Sequence, residues 1–129
     1  MKVYEGKATN GLPIVIKRMK TLGHLCGYVG VPCEHPWYRI VYSQCVNEGT
    51  DDTPESLIDV HGGLTFSSMG DRDLFPADYW WFGFDCAHFM DKTSFNPSGI
   101  ERDETWVKEE CGRLAEQLGK VVVSREVTK

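Results

Sequence analysis

The chain has 129 residues, 41% of them hydrophobic and 12% aromatic, with 14 Lys and Arg against 19 Asp and Glu and a formal charge of −5. That length and composition fit one globular domain with a core of its own, and the acidic balance argues against a broad nucleic-acid interface, which needs a basic face. No apolar run reaches the roughly 20 residues of a membrane span, and no signal-type apolar segment follows Met1; the expectation is a cytoplasmic protein with no membrane association.

In chain order, residues 13–19 alternate Ile14 and Ile16 against Val15 and Lys17 and read as a strand. A local basic cluster, Lys17, Arg18 and Lys20, lies at its end. Residues 23–32 read as a second strand closed by Pro32. Residues 37–46 are aromatic and β-branched and fit a strand or an extended loop, and residues 47–55 are a polar loop. Residues 57–66 give the clearest alternation: Ile58, Val60, Leu64 and Phe66 on one face, Asp59, His61 and Thr65 on the other. Gly62 and Gly63 interrupt that run, marking a bulge or a close backbone approach. Residues 67–78 are an acidic loop. Residues 79–85 form an aromatic strand, apolar on both faces and therefore central.

Val107, Cys111, Leu114, Ala115 and Leu118 recur at helical spacing and predict a helix from residue 103 or 104 to 118. Asp103 is its candidate N-cap and Gly119 its stop. Residues 120–124 read as a last strand. The fold class is α+β, a single domain over residues 1–129. A mixed or mostly antiparallel sheet of about five or six strands carries one long C-terminal helix packed on it.

Five cysteines, Cys26, Cys33, Cys45, Cys86 and Cys111, are odd in number and scattered, which predicts reduced and mostly buried thiols rather than a disulfide framework.

Two islands carry the candidate chemistry: Val60-His61-Gly62-Gly63-Leu64-Thr65-Phe66, and Trp80-Trp81-Phe82-Gly83-Phe84-Asp85-Cys86-Ala87-His88 with Asp91. With Gly27-Tyr28-Val29-Gly30-Val31-Pro32 and His35-Pro36 ahead of them, they resemble a family of small uncharacterised bacteriophage and prophage proteins. The resemblance implies a phage-type accessory protein made in a bacterial cytoplasm. It brings no reaction.

The residues themselves leave several readings open. His61, Asp85, His88 and Asp91 are imidazoles and carboxylates of the kind that bind a divalent metal such as zinc, and a metal-bound water would supply a hydrolytic nucleophile. The same groups could do acid–base work without a metal. They could also be structural, with Asp85 capping a turn and His61 paired to Asp59 or Asp85. A ligand pocket is the second reading: Gly62 and Gly63 give close backbone contact, His61, Thr65, Asp85 and His88 give hydrogen bonds, and nearby aromatics favour a nucleotide-like small molecule. Cys86 beside His88 is a weaker candidate nucleophile, and Cys33, His35 and Cys45 a weaker zinc set. The alternative from another class is a non-enzymatic protein that binds a host protein through its acidic stretches at 47–55 and 70–78.

Overall fold

The aromatic run Trp80–Asp85 and the small, β-branched run Leu25–Val31 lie side by side in the middle of one sheet. This is the arrangement in the computed structural model, which describes residues 1–73 and 75–121. The strands are β1 (Lys2–Lys7), β2 (Pro13–Arg18), β3 (Leu25–Val31), β4 (Phe66–Met69) and β5 (Trp80–Asp85). They are ordered β1-β2-β3-β5-β4, and every neighbouring pair is antiparallel. A single turn, α1 (Pro54–Leu57), and one long helix, α2 (Glu104–Gly119), complete the α+β fold. No helix among the described residues is long and apolar enough to cross a membrane.

Side-chain alternation sorts the sheet into two covered faces. Ile14, Ile16, Leu25, Val29, Val31, Phe82 and Phe84 point to the face on which α2 packs Val107, Cys111, Leu114 and Leu118, all essentially buried. Gly27 makes that contact close: a Cβ there would stand 2.6 Å from the Cys111 sulfur. The side chain of Asp103 accepts the Trp106 N–H and starts the helix as its N-cap. The opposite face is covered by the loop between β4 and β5. There Phe75 packs edge-on against Tyr28 at 4.8 Å and stacks near Trp81 at 5.3 Å, while the Trp81 indole N–H donates to the Pro76 carbonyl at 3.0 Å.

Residues 57–66 depart from the expected strand. Ile58, Val60 and Leu64 are buried together on the α2 side as the alternation predicts. Phe66, expected with them, packs on the opposite face against Tyr28 and Phe75. The backbone between residues 58 and 64 pairs with no strand. Side chains of α2 satisfy it instead. Gln117 accepts the Asp59 N–H at 2.8 Å and donates to the Asp59 carbonyl at 2.8 Å. Glu110 accepts the His61 N–H at 2.7 Å, and Arg113 donates to the Asp59 carbonyl at 3.1 Å. Buried backbone groups need partners, and here a helix supplies them. The sheet resumes only at Phe66, so residues 66–69, expected mostly as loop, are an edge strand. Residues 37–46 form successive turns, not a strand. The strand β1 has no counterpart in the sequence reading. Of the expected strand 120–124, Lys120 is the C-cap of α2 and Val121 belongs to no strand, and residues 122–124 lie outside the described residues.

Candidate functional site

Strand β5 ends at Asp85, and the chain turns at once. One Asp85 oxygen accepts the Ala87 N–H at 3.0 Å and so caps the turn. The other accepts the Thr65 hydroxyl at 3.0 Å. The turn swings His88 back until its Nε2 lies 3.4 Å from Asp85 Oδ1, close enough for charge interaction. Three residues on, Asp91 is 1% exposed, and three donors converge on it. His61 Nε2 and the His88 N–H reach Oδ2 at 2.8 and 3.0 Å, and Arg102 Nε reaches Oδ1 at 2.9 Å. The His61 and His88 rings meet edge to face at 5.4 Å. The Arg102 guanidinium lies over Trp106 at 4.6 Å, and His61 packs against the same indole at 5.0 Å.

The segments around His61 and Asp85 therefore do come together. His61, Thr65, Asp85, His88 and Asp91 form one connected polar network at the end of the β3–β5 pair. Gly62, at φ +68°, lies so close to His88 that a Cβ would collide with its ring. Gly63, at φ +83°, completes the turn through its N–H to the Val60 carbonyl, and its Cα faces open space.

Burial alone would raise the carboxyl of Asp91. The bonds from His61, the His88 N–H and Arg102 outweigh it and hold the group below the ordinary carboxylate range. The same bonds engage both of its oxygens. No group of three or more His, Cys, Asp or Glu among the described residues is arranged to hold a metal ion, and the expectation of a divalent metal on His61, Asp85, His88 and Asp91 finds no support in this geometry. Cys86 is buried, and burial pushes its thiol up to about 12, which removes it as a nucleophile near neutral pH. His35 is fixed from both sides: Nδ1 accepts the Trp37 N–H at 2.9 Å, so Nε2 carries the proton and donates to the Leu118 carbonyl at 2.7 Å. Cys33 and Cys45 are exposed and free.

Several residues of this neighbourhood escape the sequence reading. His24, just before β3, stands beside Cys86 because the Cys86 N–H bonds the Leu25 carbonyl. Burial holds its imidazole below the ordinary histidine range, against the raising pull of Asp85 and Asp91. Among the described residues, two buried ring nitrogens, His24 Nδ1 and His88 Nε2, form no hydrogen bond, the latter having only its 3.4 Å approach to Asp85. A cavity of about 470 Å³ opens here between the β2–β3 turn and residues 92–104, with His24, Arg18, Cys86 and Arg102 among its lining. His24 and Arg102 become legible as site residues only once β3 is known to pair with β5 and α2 to begin beside Asp91.

Fold and site together define a small α+β protein with a cluster of imidazoles and carboxylates at one end of an antiparallel sheet. No protein-family model, curated protein or solved structure matches the chain.

Proposed function

We propose that this chain is a small-molecule-binding protein whose site is the cavity beside His24 and the His61–His88 cluster. The observation that carries the reading is the buried Nδ1 of His24, which lines the cavity and has no hydrogen-bond partner among the described residues. A buried polar atom with no hydrogen bond is destabilising by about 1–3 kcal/mol, and a bound molecule offering matching groups recovers that loss. The cavity, about 470 Å³, lies in the range of small-ligand sites. A nucleotide-like compound suits its mix of imidazole, guanidinium and hydroxyl groups. The motif resemblance to phage and prophage proteins supports an accessory role in a bacterial cytoplasm.

The test is a titration of isotope-labelled protein with a panel of nucleosides, nucleotides, sugars and amino acids, following the imidazole resonances of the histidines. At least one compound should shift His24 saturably, and His24→Ala should weaken it while far-ultraviolet circular dichroism stays unchanged. A panel that leaves His24 unmoved, or a variant that binds as the parent does, would overturn the reading.

A second reading, an interaction protein, rests on a different observation. The loop between β5 and α2 displays Phe89 at 92% and Phe95 at 83% exposure, with Met90 and Ile100 beside them. Clustered exposed apolar side chains of this kind mark contact surfaces. They, and not the acidic stretches alone, are the natural place for a host protein to bind.

A further inference from the structure

The cavity's lining contains three cations, Arg18, Lys92 and Arg102, and three acids, Glu101, Asp103 and Glu104. Their formal charges cancel. Each acid is already engaged through one oxygen. Asp103 Oδ1 accepts the Trp106 N–H at 2.8 Å. Glu101 pairs with Lys92 at 3.4 Å, and Glu104 with Lys108 at 3.2 Å. Two of the cations are barely used. Among the described residues, the Arg18 side chain donates only through one Nη, to the Gly23 carbonyl at 2.7 Å. Arg102 donates only through Nε, and the Asp91 carboxylate that receives it is shared with His61 and the His88 N–H.

A guanidinium has five N–H donors in a rigid fork. Both Nη groups of Arg102 form no hydrogen bond among the described residues, while its Nε is fixed on Asp91 and its plane lies over Trp106. The fork is thus held in place before any ligand arrives, which lowers the entropy lost on binding. The buried, unpartnered His24 Nδ1 belongs to the same cavity. Together these give the cavity a fixed pair of guanidinium donors and an open imidazole nitrogen.

We infer that the ligand of this site carries an oxyanion, a phosphate or carboxylate group, received by the Nη groups of Arg102 together with Arg18 and His24. Planar oxyanions and phosphates match the guanidinium fork in a way that neutral ligands do not. The inference rests on the binding role proposed for this cavity and names the chemical class it selects.

Isothermal calorimetry and imidazole resonances separate the two claims. The probes are a nucleoside, the matching nucleoside monophosphate, inorganic phosphate and acetate. The monophosphate should bind at least tenfold more tightly than the nucleoside, with inorganic phosphate or acetate competing for it. Competition by phosphate alone assigns the group as phosphoryl, and competition by acetate alone assigns it as carboxylate. Arg18→Gln, at an exposed position, should weaken the monophosphate about tenfold and leave the nucleoside unaffected. Arg102→Lys, which keeps the charge beside Asp91 but loses the fork, should do the same. Equal affinity for nucleoside and monophosphate overturns the oxyanion inference and leaves the binding role standing. Silence of every probe in the calorimeter and at His24 overturns both.

Discussion

Asp91 shows how one side chain organises this end of the molecule. It is buried, it accepts bonds from a histidine, an arginine and a backbone amide, and it ties residues 61, 88 and 102 to one point. Removing one partner of a buried ion pair leaves the other uncompensated, which is destabilising by about 3–5 kcal/mol. Asp91→Asn should therefore lower the urea unfolding midpoint by an amount equivalent to about 3 kcal/mol, with an unchanged slope. The pH dependence follows from the direction of its shift. The native carboxyl sits below its unfolded value near 3.8, so its contribution is full above that value and is lost as pH falls through the native one. Stability measured from pH 6 down to pH 2 should fall less steeply at the acid end in Asp91→Asn than in the parent. An equal acid slope in both proteins would show that other carboxylates dominate the acid transition. At the same scale, the residue types near the site were readable from the chain, and the pairing was not. His61 was open to Asp59 or Asp85 as a partner, and it bonds Asp91, because the turn capped by Asp85 brings residue 91 back beneath the ring.

Among the elements, helix α2 and strand β5 follow from periodicity and composition, because each buries a continuous apolar surface that only one kind of structure can satisfy. Residues 57–66 misled for a physical reason. Alternation reports which side chains are buried and says nothing about what bonds the backbone. Here Gln117, Glu110 and Arg113 of α2 take the place of a neighbouring strand. The strand β1 escaped because Lys2–Lys7 lies at a sheet edge, where charged residues are ordinary and the apolar signal is weak. The role of Gln117 is checkable. Gln117→Ala should speed amide hydrogen exchange at Asp59 by about tenfold, the equivalent of the roughly 1.4 kcal/mol associated with a net hydrogen bond. The amides inside α2 should exchange at the parent rate. Uniformly faster exchange along the helix would mean that Gln117 supports α2 itself and not the segment beside it.

At the level of the whole molecule, the covered sheet leaves the most exposed apolar side chains among the described residues on the 89–100 loop. That loop is built to hold its shape: the Ile100 N–H bonds the Met90 carbonyl at 2.8 Å, and the Ser94 N–H bonds the Leu22 carbonyl at 2.9 Å. Nearly complete exposure of two phenylalanines on a braced loop makes association the expected behaviour of the parent at high concentration. Sedimentation velocity over a hundredfold concentration range should reveal it, and Phe89→Ser with Phe95→Ser should abolish it with no loss of ligand binding in the neighbouring cavity. Identical sedimentation of parent and variant would remove self-association as a use of this surface.

The central seam of the sheet joins β3 to β5, whose residues Val31 and Trp80 are partners although roughly fifty residues separate them along the chain. Closing so long a loop before any contact rewards it is the slow, entropy-limited part of folding. His24 and Asp85 flank the end of that seam, with the Cys86 N–H bonded to the Leu25 carbonyl between them. The cavity beside His24 consequently cannot exist in a half-formed chain. Its presence certifies that β3 has found β5, and a compound that bound only the finished fold would stabilise it by mass action.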